Sequence, residues 1–267
     1  QFISSTLTGN DRERLAKVKK NLLQQKPKYL KIDNRPIMGS DQAKLTVVEF
    51  SDFLCPYCAK ASKYLKLAES VNHDTARFVF LHYPLDKTCN RRLTSNLHPG
   101  ACMLAEGAAC AQEQGKFWQY HDIAFETKGK ISRSVVMQIA SDLALNLDGF
   151  RNCLDSGRGL KVVFEDINTA ANAGIVGTPT LFINGRKLRG VPKPWILNEI
   201  LQFSLTPHRQ FKFLNRLQMF HRTHYTACPF LFILATNNST NKKIERTSYN
   251  IRTANISNIF FTCFLID

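Results

Sequence analysis

The sequence predicts an α/β fold with a long helical insertion, a basic helix in front and a poorly ordered tail behind. Three observations carry this. A β-branched apolar run, "LTVVEFSDF" at 45–53, leads straight into a helical pattern at about 56–71. A second apolar run, "ARFVFLHYPL" at 76–85, is followed by some seventy residues that read mostly as helices. A third short run, "TPTLFING" at 178–185, ends in Asn184–Gly185, a strong hairpin turn.

The elements follow in order. Residues 11–24 place Leu15, Val18 and Leu22 on one helical face, with Asn10 as the expected N-cap. The stretch from Lys26 to Lys44 has loop chemistry. After the second strand, helices are expected at 99–114, 116–127, 132–144, 147–154 and 158–173, broken near Gly115, Lys128–Lys130 and Asn146–Asp148. "RKLRG" returns from the hairpin turn, and 192–203 forms the closing helix. Three segments result: residues 1–40 as helix and linker, 41–203 as one domain with its insertion at about 86–157, and 204–267 as the tail. The tail is polar and unpatterned between two short apolar pieces, so it has little with which to build a core.

The net charge of +15 sits at the two ends. Residues 1–40 hold nine Lys/Arg against three Asp/Glu, and residues 203–267 hold eight against two. No nucleic-acid motif accompanies them, so they read as solvated flanks and no nucleic-acid partner is expected. The longest apolar run, "FLFILA" at 230–235, is far short of the ~20 residues that span a bilayer. The chain opens on Gln1 without a signal peptide, which reads as a processed protein or an excised piece. Eight cysteines favour an oxidising compartment.

The chemistry concentrates at "CPYC", 55–58, where the first strand gives way to a helix. Free N–H groups and the helix dipole there favour a negative charge. Pro56 suits the first helical position. A thiolate at Cys55 is therefore stabilised, and thiolate is the nucleophile of disulfide exchange. Cys58, one turn on, is placed to resolve a mixed disulfide at Cys55. A structural zinc site needs four ligands, and no second CxxC or His pair supplies them, so no metal is expected. A purely structural bond across so small a loop would stabilise little. Downstream, Pro179 starts a strand, where its missing N–H costs no ladder bond; on the residues alone, an ordinary edge proline and a cis Thr178–Pro179 peptide both fit that position.

"EFSDFLCPYC" together with "GIVGTPTLFINGR" resembles the thioredoxin superfamily, and within it the DsbA-like thiol:disulfide oxidoreductases. The resemblance covers about 41–203. It implies a thioredoxin fold with a helical insertion, a cis Thr178–Pro179 peptide facing Cys55, and dithiol–disulfide exchange at Cys55 and Cys58 without a cofactor. Extended, cysteine-containing protein substrates would lie over Pro56, Tyr57, Thr178 and Pro179. Glu49, six residues before Cys55, matches the family's acidic residue; buried beside the pair, it would move the proton of Cys58. Residues 83–122 further resemble thioredoxin-like domains associated with bacterial vitamin K epoxide reductase homologues. That implies a periplasmic or other extracytoplasmic location, a membrane redox partner of that type, and an anchor outside this chain. Tyr57 stands where strongly oxidising DsbA proteins carry histidine, so a milder oxidant is expected. Isomerase or reductase activity is the alternative, and a redox-inert peptide-binding module is a third reading that the intact cysteine pair argues against.

Cys89, Cys102, Cys110 and Cys153 read as structural disulfides, with an electron relay to Cys55 as the alternative. Cys102 and Cys110 lie eight residues apart on one helix, about 12 Å, beyond disulfide reach. That leaves 89–102 with 110–153, favoured because its first loop is local and turn-rich, or 89–110 with 102–153. His98 and His121 read as ordinary polar contacts. Cys228 and Cys263 receive no role.

Overall fold

Three apolar runs and a short edge piece build one five-stranded sheet in the computed structural model, which describes residues 8–188 and 190–206. The strands are β1 (Ile37–Met38), β2 (Leu45–Ser51), β3 (Ala76–His82), β4 (Thr180–Ile183) and β5 (Arg186–Leu188), in the order β1-β3-β2-β4-β5. β2 and β3 are parallel, so their connection must cross over a sheet face. Helix α2 (Pro56–Asn72) is that crossover. The other pairings are antiparallel, and β4 returns as β5 through Asn184 and Gly185, both at positive φ (46° and 76°).

One face of the sheet, through Val48, Phe50, Val79, Leu81 and Phe182, packs on helix α7 (Arg158–Ala173). The other, through Val47, Phe78, Leu181 and Ile183, packs on α2 and on the closing helix α8 (Pro194–Leu205). Helix α1 (Gly9–Gln24) joins this second layer by burying Leu15 and Leu22. The insertion contains α3 (Ala101–Gln112), α4 (Phe117–Glu126), α5 (Arg133–Asp142) and α6 (Leu147–Asp155). Its core runs continuously into Phe53, Cys55, Cys58 and Phe80, so the insertion forms one side of the cysteine site. At Gly159, an added Cβ would come within 2.6 Å of the Glu106 carbonyl and 2.7 Å of Cys110 Sγ, which is how α7 can lie against α3.

Four expectations need correction. Thr8, not Asn10, caps α1: its hydroxyl accepts the Asp11 N–H at 3.2 Å. The loop before β2 contains a strand, β1, recruited by the open edge of β3 through pairings of Ile37 with Val79 and Met38 with Phe78. The 76–85 run stops pairing at His82 because its partner β2 ends at Ser51: Tyr83 N–H makes the last bond, to the Ser51 carbonyl (2.8 Å), and Pro84 has no N–H to offer. α8 continues to Leu205, past the expected boundary at Phe203, and Phe203 is part of the buried core. The expected disorder of the tail, with Cys228 and Cys263, lies outside the described residues.

The disulfides are Cys89–Cys102 and Cys110–Cys153. The second ties α3 to α6 across 43 residues of sequence. Closing such a loop removes unfolded-state entropy equivalent to about 4 kcal/mol. Replacing both Cys110 and Cys153 with Ala should lower the unfolding free energy by roughly 2–4 kcal/mol in urea titration. No change in the midpoint would show that the cross-link does not restrain the unfolded chain.

Candidate active site

β2 ends at Ser51, and four residues later Cys55 is the N-cap of α2, with extended backbone (φ −79°, ψ 119°). The turn between them is fixed by Asp52. Its carbonyl accepts Cys55 N–H (3.1 Å), and its buried carboxylate accepts Leu54 N–H (2.7 Å) and Leu85 N–H (2.6 Å). Pro56 takes the first helical position. Cys58 and Ala59 N–H groups bond back to the Cys55 carbonyl at 3.0 and 3.1 Å, closing the first turn.

On the other side lies the loop before β4. The Thr178–Pro179 peptide is cis. The Cys55 thiol donates to the Thr178 carbonyl at 3.7 Å. Register explains the approach. Phe50 pairs with Thr180 in the β2–β4 ladder, and the next residue of β4's chain is Pro179, which has no N–H to continue it. The loop is therefore adjacent to the residues that carry β2 into α2.

The two thiols are driven apart electrostatically. Cys55 is lowered to about 6, first by the hydrogen bond from Cys58 and further by the Cys58 and Tyr57 backbone N–H groups, against the cost of burial. Cys58 is raised, chiefly by burial, then by its hydrogen bond to Cys55 and by the negative charge of Glu49. Cys58 is fully buried, and Cys55 is itself only 4% exposed. Neither thiol is open: the Thr178 loop lies against Cys55, and charge stabilisation rather than exposure distinguishes the two.

Glu49 lies on the β2 face toward α2 and is 5% exposed. Burial pushes its carboxyl up to about 8, with the Cys55 charge adding to the rise and the Ser51 bond opposing it. Ser51, two residues on and so on the same strand face, donates its hydroxyl to Glu49 Oε1 at 2.9 Å. Tyr57, by contrast, is 73% exposed at the rim.

Two residues of this neighbourhood were missed in the sequence, Ser51 and Asp52, while His98 is the ordinary polar contact expected of it, with a partner the sequence does not name. Strand alternation from Glu49 could have revealed Ser51. His98 Nδ1 lies 2.9 Å from Asp52 Oδ2, which raises the imidazole pKa; that contact joins residues 46 positions apart, and no local pattern announces it. His121 sits in the insertion beside Asp122 (Nδ1–Oδ1 2.8 Å). Among the described residues, no cluster of three metal-ligating side chains forms.

The sequence profile of the thioredoxin family matches residues 31–202. This chain belongs to the thioredoxin family. Among solved structures, it resembles a thioredoxin-like oxidoreductase from Silicibacter pomeroyi (23% identity, 64% of this chain and 92% of that one, TM-score 0.55). It also resembles BdbD from Bacillus subtilis (19%, 66% and 95%, 0.55) and the thiol-disulfide exchange protein α-DsbA2 from Wolbachia pipientis (16%, 75% and 100%, 0.55). At these identities the likeness is one of fold, a thioredoxin fold with a DsbA-like helical insertion. Curated relatives include the Na(+)/H(+) antiporter NhaA 3 of Salinispora tropica (35% identity over 158 residues, 59% of this chain) and NhaA 1 of Salinispora arenicola (36% over 160 residues, 59%). The match spans only 23% of either antiporter's length, so ion transport is a property of those longer proteins. Among the described residues of this thioredoxin-family chain, no helix is long and apolar enough to cross a membrane.

The opposed shifts set a pH signature. A thiol lowered from about 9 to about 6 leaves the native reduced state with fewer protons than the unfolded chain between those values, so stability rises with pH there. Glu49, raised from 4.5 to about 8, acts oppositely, losing stability as pH rises from 4.5 through 8. The oxidised protein keeps Glu49 but has no thiols to titrate. The stability of the reduced form relative to the oxidised form should therefore climb between pH 6 and 9, by at most about 1.4 kcal/mol per pH unit. Paired urea titrations measure this difference, and a flat or falling one would contradict the assignment of the low-pKa thiol.

Proposed function

We propose that the chain is a thiol–disulfide oxidoreductase acting on cysteine-containing proteins, with Cys55 and Cys58 as its redox pair. The observation that carries this is the asymmetry of the two thiols at one helix start, with the acidic one against the Thr178 carbonyl. In the oxidising direction, a substrate thiolate attacks Cys55 Sγ of the Cys55–Cys58 disulfide. The S–S bond breaks, Cys58 leaves as thiolate and takes up a proton, and a Cys55–substrate mixed disulfide remains. A second substrate thiolate then attacks the substrate sulfur of that bond. Cys55 departs as a thiolate, and the substrate gains a disulfide. A low-pKa thiol is the better leaving group, so the asymmetry favours release from Cys55.

Glu49 is the group suited to serve Cys58. A carboxyl near 8 is mostly protonated at neutral pH and can give its proton to a buried thiolate. Thr178 offers main-chain groups to an extended substrate, and Pro56, Tyr57 and Pro179 form the surface around it. The two structural disulfides support an oxidising, extracytoplasmic setting. A membrane protein of the vitamin K epoxide reductase type is the partner we propose for restoring the Cys55–Cys58 bond. Two thiols so differently poised would have no use in a redox-inert peptide holder.

Equilibration in glutathione buffers, followed by thiol trapping, should show one reversible two-electron couple at Cys55–Cys58. Absence of any couple would refute the function. Cys58→Ser should accumulate Cys55-linked mixed disulfides with reduced substrate oxidised by glutathione disulfide, whereas Cys55→Ser should accumulate far fewer. Equal trapping by both variants would reverse or abolish the assigned roles.

A further inference from the structure

A groove of about 440 Å³ opens beside the cis-proline. Tyr57, Thr178 and Pro179 line one end, so it is continuous with the surface over Cys55. From there it follows α2 past Lys60 and Tyr64, which share a helix face with Tyr57 at three-to-four spacing. Lys193, just before α8, and Arg14, on α1, also line it. α1 reaches this position because Leu15 and Leu22 are buried in the same core as Leu197, Ile200 and Leu201 of α8. The thioredoxin site is thereby extended by a wall that the first helix contributes.

The charges in this groove are unbalanced. Arg14, Lys60 and Lys193 face a single acid, Asp11, whose Oδ2 already accepts the Thr8 hydroxyl at 2.9 Å. Among the described residues, none of the three cations has a carboxylate within ion-pair distance. Two of them rest over aromatic rings, Lys60 over Tyr64 (5.7 Å) and Lys193 over Trp195 (5.0 Å), contacts that hold a cation in place without neutralising it.

We infer that this groove selects polypeptide substrates carrying acidic residues a few positions from the reacting cysteine. The inference rests on the thiol-exchange reading and adds a substrate class to it. Spacing sets the positions. Lys60 is five helical residues beyond Cys55, about 7–8 Å at 1.5 Å per residue, and Tyr64 is nine beyond, about 13–14 Å. An extended chain advances ~3.3 Å per residue, so acidic side chains about two to four residues from the cysteine fall among the cations. The chain's own residues 203–267 are a poor occupant, holding eight Lys/Arg against two Asp/Glu.

The test uses two reduced dithiol peptides that differ only in carrying Glu or Lys at those positions, with dithiothreitol as a third substrate. The oxidised full-length protein should oxidise the Glu peptide with kcat/KM about tenfold above the Lys peptide at low salt, as three partly exposed ion pairs allow, and added salt should shrink the ratio. In the triple variant Arg14→Glu, Lys60→Glu, Lys193→Glu the ratio should invert; the neutral variant Arg14→Gln, Lys60→Gln, Lys193→Gln should bring it near one. The ratio is internal to each variant, so a loss of folded protein does not mimic either result. Equal rates for the two peptides with dithiothreitol still oxidised would overturn the inference alone. Failure to oxidise dithiothreitol would overturn the thiol-exchange reading itself. Binding of the protein to phosphatidylserine vesicles, lost in the charge-reversed variant and accompanied by equal peptide rates, would assign the cations to a lipid surface and overturn the inference.

Discussion

The end of β2 constrains everything at the site. The strand must stop at Ser51 so that α2 can begin at Cys55, and the antiparallel neighbour β4 must stop at the same level. Pro179 meets the second requirement because it has no N–H to offer the ladder. Asp52 meets the first by accepting the Leu54 and Leu85 N–H groups, which bends the chain into the helix. The same register that ends both strands leaves the Thr178 carbonyl 3.7 Å from the Cys55 thiol. A one-residue slip in β2 would turn Glu49 to the opposite face and remove the carboxyl from beneath the cysteine pair.

Burial and polarity then divide the work between neighbouring groups. Cys55 and Glu49 are both buried, yet they shift in opposite directions. Cys55 receives hydrogen bonds from the Cys58 thiol and from N–H groups of the first helical turn, and these outweigh its desolvation. Glu49 has only the Ser51 hydroxyl against complete burial, so desolvation prevails. The result is a thiol that is ionised at neutral pH beside a carboxyl that is mostly not. In the proposed exchange, the first would serve as the thiolate and the second would supply a proton to Cys58, both within one sheet-and-helix junction.

Much of this was legible in the sequence because it rests on local chemistry. The strand–Cys–Pro junction, the strand-leading Pro179 and the Asn184–Gly185 turn each announce themselves within a few residues. The disulfide pairing was narrowed by helix rise alone and left two choices, of which the structure shows Cys89–Cys102 with Cys110–Cys153. What escaped depends on distant partners. β1 is a strand only because β3 offers it an edge. His98 lies against Asp52 only because the insertion folds back over the β2–α2 turn. The near-burial of Cys55 comes from the Thr178 loop, more than a hundred residues away in sequence, and the groove wall comes from α1, whose packing on α8 no local pattern specifies.

The central claim is that Cys55 is a thiolate at neutral pH while Cys58 keeps its proton. The pH dependence of the Cys55–Cys58 reduction potential tests it most directly. Below pH 6 reduction should take up two protons per two electrons, a slope of about 59 mV per pH unit. Above pH 6 only one proton should be taken up, and the slope should fall to about 30 mV. A slope of about 59 mV persisting to pH 8 in a Glu49→Gln variant, where no carboxyl can take up the second proton, would show that both thiols stay protonated and would contradict the account.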